Sequence, residues 1–123
     1  CLAYEGHAFI KFQIEHIISL KHHGLTISEN LAYSCFLCNN AKGSDIGTIL
    51  DESTFSRFFN PRKDLWIDHF EISGNIILPK SKIGEGTIKI LDLNNQERLI
   101  ERQTLLESDY FPHPNAYKIL RKN

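Results

Sequence analysis

Cys35 and Cys38, separated by two residues in the stretch SCFLCNNAKG, have the spacing of half a four-ligand zinc site. Zinc holds thiolates in a tetrahedron, so such a knuckle needs further ligands from elsewhere in the chain. The sequence contains three cysteines, the third being Cys1. An odd number argues against a closed disulfide framework and leaves the set one ligand short of four cysteines. Three buried thiols is the competing reading, because free cysteine is a common core residue.

A second group lies just upstream. Glu15 and His16 are adjacent, and Asn30 and Asn39 follow. An imidazole titrates near neutrality and can take the proton from an attacking water. The alternation of FQIEHII puts His16 on the side of Ile14 and Ile18, so a packed strand histidine is the alternative. Glu15 and Asn39 offer oxygen, which suits a hard cation such as Mg2+ or Mn2+ better than zinc; a solvated surface glutamate is the plain alternative. Asn30 suits a loop in which its carboxamide bonds turn backbone. Lys42 falls three residues after Asn39, on the same helical face, where it meets either a phosphate or solvent. Arg57, Arg62 and Lys63 form a modest basic cluster that can touch a duplex.

The elements that must position these residues are short. Residues 12–18 alternate as a half-buried strand with Phe12, Ile14 and Ile18 on one side. SLKHHGLTISEN reads as a loop and LAYSC as a second strand. Residues 35–42 have helical spacing and stop at Gly43, a residue suited to a helix C-terminus. The local order is strand, loop, strand, helix. GTILDESTFSRFFNPRKD reads as irregular, and LWIDHFEISGNIILPK as a hairpin around a Ser-Gly-Asn turn. Residues 82–93 place Ile83, Thr87, Ile88 and Leu91 at helical spacing. Asn94 or Asn95 can cap a last helix carrying Leu99, Ile100, Leu105 and Leu106, and the tail after Pro112 reads as a surface segment.

Read together, IEHIISLKHHG, ENLAYSC and CFLCNNAKG resemble the HNH endonuclease family, in its bacterial form with a zinc-bound ββα-metal core. FFNPRKDLWIDHF and GTIKILDLN resemble, less diagnostically, the trailing segments of one of its subfamilies. The resemblance implies that His16 is the general base, that Asn30 pins the loop between the strands and helps orient it, and that Glu15 and Asn39 bind the catalytic Mg2+ or Mn2+. It implies structural zinc on Cys35, Cys38 and Cys1, with Cys1 the second member of an earlier pair whose first cysteine lies upstream. It also implies DNA as partner, a 5′-phosphate product, and backbone contacts from the basic loop of Lys21, His22 and His23, with Lys42 and Arg62. Ser19 stands where the family commonly has proline, and Leu25 where a second glycine is common.

Composition sets the frame. A chain of 123 residues suits one domain, and 41% hydrophobic with 24% charged residues is ordinary for a globular protein. No apolar run is long enough to span a bilayer, so no membrane partner and a cytoplasmic location are expected. A net charge of -1 lacks the basic excess of a strong non-specific DNA binder, which fits an enzyme that holds its substrate weakly. The chain has no methionine and starts at Cys1, as a fragment or processed product would. The expected architecture is α+β: an HNH ββα-metal core over residues 1–50 and a hairpin-plus-helix extension over 51–123, packed as one domain. The expected function is metal-dependent hydrolysis of DNA. The alternative is a zinc-stapled nucleic-acid-binding module without cleavage.

Overall fold

A computed structural model describes residues 1–121. The first strand, β1 (Gln13–His16), pairs antiparallel with β2 (Leu31–Ser34), placing Glu15 opposite Ala32 and His16 opposite Leu31. Helix α1 (Phe36–Lys42) follows at once, giving the order strand, strand, helix. Cys35 caps α1, its sulfur accepting from the backbone N–H of Cys38, and Gly43 ends it at φ +52°.

The strand is shorter than residues 12–18, and its apolar alternation faces outward. Ile14 is 71% exposed and Ile18 44%, whereas Ile17 is buried. The reason lies in the partner: α1 covers the other face of β1, where Asn39 bonds Gln13 and Lys42 pairs with Glu15. The face turned to the helix is therefore polar.

Residues 47–57 also depart from the expected irregular segment. β3 (Gly47–Asp51) and β4 (Thr54–Arg57) form an antiparallel hairpin whose turn is fixed by Asp51 accepting from the Ser53 N–H. Its exposed face carries the Ile49–Phe55 pair, and Ser56 is buried. Next come one short turn, α2 (Trp66–His69), and the expected hairpin, shortened to β5 (Phe70–Ser73) and β6 (Ile76–Pro79) around Gly74 at φ +61°. The expected helices are α3 (Lys82–Leu91) and α4 (Gln96–Glu107). Asn95 caps α4 by accepting from the Arg98 N–H. α3 approaches α2 closely, since a Cβ on Gly84 would lie 2.1 Å from the His69 carbonyl oxygen.

One apolar cluster joins Cys35 and Cys38 to Trp66, Phe70, Ile77 and Leu93. Its aromatic centre is Phe70, tilted against Trp66 at 5.1 Å and edge-on to Phe59 at 5.3 Å. The expected boundary at residue 50 falls inside β3, and the cluster draws on both sides of it. The face of α4 differs from expectation: Arg98 and Arg102 are buried, while Ile100 is 60% exposed. The tail is not wholly superficial, because Ala116 is buried and Leu120 packs against the cluster. Among the described residues no helix is long and apolar enough to cross a membrane.

Candidate active site and metal centre

The loop between β1 and β2 is built around Asn30. Its Oδ1 accepts from the Ile18 N–H at 2.8 Å, and its Nδ2 donates to the carbonyls of Ile18 and Leu25, both at 2.9 Å. Its own carbonyl accepts from the Ile17 N–H. The carboxamide thus clamps both ends of the loop just past His16. Gly24 completes the clamp, because a Cβ there would sit 1.7 Å from the Ile18 carbonyl oxygen and 2.8 Å from Asn30 Nδ2. Ser19 is buried and donates its hydroxyl to the Ser44 carbonyl, tying the loop to the chain just past α1. A proline could not make that bond. Within this loop Lys21, His22 and His23 are exposed, His23 in the left-handed region at φ 62°.

His16 ends β1, and its Nε2 lies 2.9 Å from the Thr26 hydroxyl. Adjacent strand residues project to opposite faces. Glu15 accordingly turns to α1, where the Lys42 ammonium stands 3.8 Å from Oε2 and donates to the His16 carbonyl at 3.0 Å. Burial raises the Glu15 pKa, and the positive charge of Lys42 opposes that rise. Lys42 is itself buried and faces the strand, not solvent. Asn39, one helical turn earlier, gives Nδ2 to Gln13 Oε1 at 2.6 Å. Gln13 and Glu15 on β1 therefore meet Asn39 and Lys42 on α1. A neighbouring cavity of about 440 Å³ has Glu15, Lys42 and Cys38 in its walls; His16 and Asn39 lie outside that lining. Arg62 is exposed, and its Nε donates to the carbonyl of Leu31, the residue opposite His16.

The three cysteines converge. Their sulfurs all lie within 4.8 Å of one another, with Cys1 and Cys35 at 3.7 Å. Tetrahedral zinc with ~2.3 Å bonds separates its sulfurs by about 3.8 Å, so the trio fits three of four zinc positions. Without a metal, the hydrogen bond between Cys35 and Cys38 moves their pKa values in opposite directions. Cys35 is raised, first by the hydrogen bond to Cys38 and then by burial. Cys38 is lowered to about 5 by the hydrogen bond from Cys35, against burial, with help from the Arg98 guanidinium. Thiolate character is what a metal ligand requires.

Arg98 was not legible as a site residue. Its Nη2 lies 3.3 Å from Cys38 Sγ and 3.7 Å from Cys35 Sγ, and its Nη1 donates to the Leu91 carbonyl. The one signal was its spacing of four from Arg102, which puts both on one helix face.

Residues 5–45 match the family described as HNH endonuclease. That span contains Glu15, His16, Asn30, Cys35, Cys38, Asn39 and Lys42, and leaves out Cys1 and Arg98. No curated protein and no solved structure matches the chain.

Proposed function

We propose, from the premise that residues 5–45 carry an HNH endonuclease domain, that this protein hydrolyses DNA phosphodiester bonds with a divalent cation. The observation that carries the reading is the meeting of β1 and α1. Glu15 and Asn39 project from facing surfaces, and His16 closes the same strand beside the Asn30 clamp. With Nδ2 given to Gln13, Oδ1 is the Asn39 atom left for a cation, and the Glu15 carboxylate completes an oxygen pair. A bound Mg2+ or Mn2+ supplies charge against that developing on the scissile phosphate and the departing 3′ oxygen.

His16 performs the proton step. Thr26 holds Nε2 at 2.9 Å; we assign the tautomer in which Nε2–H donates to that hydroxyl, which leaves Nδ1 to accept. Water attacks phosphorus, its proton passes to Nδ1, and the bond to the 3′ oxygen breaks; that oxygen takes a proton from solvent, giving a 5′-phosphate and a 3′-hydroxyl, and the imidazolium returns its proton to solvent. Asn30 keeps the loop, and with it Thr26, at a fixed distance from the strand end. Lys21, His22, His23 and Arg62 supply exposed contacts to the phosphate backbone. Lys42 acts from below, holding the His16 carbonyl and the Glu15 carboxylate. Cys1, Cys35 and Cys38 hold structural zinc, which staples the start of the chain to α1.

A second reading is a zinc-stapled module that binds DNA without cutting it. It draws on Lys42, which already gives Glu15 a cation partner. Plasmid nicking separates the two. Cleavage that needs added Mg2+ or Mn2+, with zinc left in place, and that fails in Glu15→Gln and Asn39→Ala supports the enzyme. DNA binding with no cleavage under either cation, at any pH between 6 and 9, supports the module.

A further inference from the structure

We propose that Arg98, on α4 of the C-terminal extension, is the outer-sphere partner of the cysteine centre, donating to the sulfurs of Cys35 and Cys38 and setting how firmly they hold a zinc ion. The proposal rests on the zinc reading above. It goes beyond that reading by assigning the centre a fourth participating side chain, one that lies outside residues 5–45.

Zinc with three thiolates is a net monoanion, and a fourth thiolate makes it a dianion. Burying such a charge is unfavourable unless it is paired and hydrogen-bonded. Cys35 and Cys38 are each 8% exposed, so solvent cannot supply that pairing. Arg98 is 5% exposed, always cationic, and places one nitrogen against both sulfurs. Its geometry is fixed independently of any metal: Nη1 is held by the Leu91 carbonyl, and its backbone N–H by the Asn95 cap. Arg102, one turn on, is also 5% exposed, but its guanidinium is taken by the carbonyls of Asn75 and Leu93. It adds positive charge from a distance and contributes no donor to sulfur.

The guanidinium does two things at once for the α1 thiolates. It offsets their charge, and its N–H groups fix which way their lone pairs point. Donors of this kind next to a metal's ligands change metal affinity by about 10–100-fold. The extension, through α4, thereby controls the zinc site of the preceding ββα segment.

The test uses zinc retention and does not depend on cleavage. Intact protein is purified as wild type, Arg98→Met, Arg98→Lys and, as a packing control, Ile77→Val. Zinc content is measured by mass spectrometry, and zinc release to a chromogenic chelator is followed in time. Arg98→Met keeps the buried volume without charge or donors, and should release zinc about 10–100-fold faster than wild type. Arg98→Lys keeps the charge but cannot bridge both sulfurs and the Leu91 carbonyl, and should fall between them. Ile77→Val lowers the melting temperature through packing and should retain zinc like wild type. Should Arg98→Met fail to fold, Arg98→Lys decides the question alone. Release at the wild-type rate from the folded Arg98 variants, or equal acceleration in Ile77→Val, overturns the proposal and leaves the zinc reading standing. Wild-type protein that takes up no zinc, even when refolded with it, overturns both.

Discussion

Lys42 and His16 are joined through the backbone of one and the side chain of the other: the Lys42 ammonium donates to the His16 carbonyl at 3.0 Å. A buried lysine on the last turn of α1 thereby sets where β1 ends. The same ammonium pairs with Glu15, so one cation positions two of the residues to which we assign chemistry.

Lys42→Met tests that arrangement. Losing the hydrogen bond and the charge should lower stability by about 1–3 kcal/mol at pH 7.5. Its pH dependence follows from Glu15. Burial raises the Glu15 pKa, so the folded chain binds that proton more tightly than the unfolded chain. Ionised Glu15 therefore detracts from stability above its folded pKa, and Lys42 offsets that loss. Removing Lys42 should leave a deficit that is largest at neutral and alkaline pH and narrows as Glu15 takes up its proton on acidification. Melting curves across pH check this. A deficit independent of pH means that the ion pair contributes nothing. In cleavage, the acidic limb of the rate profile should move to higher pH.

The loop clamp yields a steric prediction. Gly24→Ala puts a methyl into the Ile18 carbonyl, and Asn30→Ala removes three side-chain hydrogen bonds. Each should cost about 1–3 kcal/mol and speed amide exchange in residues 17–30 more than in α3. Uniform acceleration over the whole chain would show that the clamp acts globally.

Three polar faces explain what could and could not be read from the sequence. Where an element ends on its own local chemistry, the sequence was clear. The Cys35 cap, the Gly43 stop, the Asn95 cap and the knuckle spacing all involve residues a few positions apart. Where burial depends on a distant partner, the pattern misled. β1 shows Ile14 to solvent because α1 brings Asn39 and Lys42 to Gln13 and Glu15. The β3–β4 hairpin buries Ser56 and brings Thr48 and Leu50 against Gly86 of α3, so Leu50 shares its inner face with two hydroxyl side chains and the apolar alternation is broken. α4 buries Arg98 and Arg102 because thiol sulfurs and free carbonyls await them. An apolar-inside rule fails at all three, and the first and third are the sites to which we assign chemistry. The residues to which we assign the proton and cation chemistry, Glu15, His16, Asn30 and Asn39, lie within one short span, so type and spacing alone suffice to nominate them.

Asp64 anchors the segment carrying Arg62. It accepts from Arg57 through both oxygens, at 2.7 and 2.9 Å, and from the Asn60 N–H at 2.7 Å. The Arg57 hydrogen bonds hold its pKa below the ordinary value. Stability from this carboxylate is therefore present above about pH 4 and lost as pH falls through the lower folded value. Asp64→Asn should cost about 1–2 kcal/mol at pH 7, allowing for the exposure of Arg57. The gap from wild type should close once the pH has fallen through that lowered value. An unchanged midpoint of acid unfolding would show that Asp64 carries no such linkage.

The last prediction concerns the proton step. His16→Ala should slow single-turnover cleavage by about 10²–10⁴-fold, the usual contribution of a positioned base. DNA affinity should change little, because affinity comes chiefly from lysine and arginine contacts to phosphate. Metal binding should persist, since Glu15 and Asn39 are untouched. Thr26→Val is the finer probe. It keeps the shape of the side chain and removes the hydroxyl 2.9 Å from Nε2. If that hydroxyl orients the ring, cleavage should drop by about 10-fold with DNA affinity and melting temperature nearly unchanged. His16 is half-buried at a strand end, so a purely structural histidine would behave differently: its loss would lower melting temperature, binding and cleavage together. Wild-type cleavage by His16→Ala, whatever its stability, removes His16 from the mechanism and leaves the proton step to another base; only wild-type protein that binds DNA without cutting it favours the zinc-stapled module.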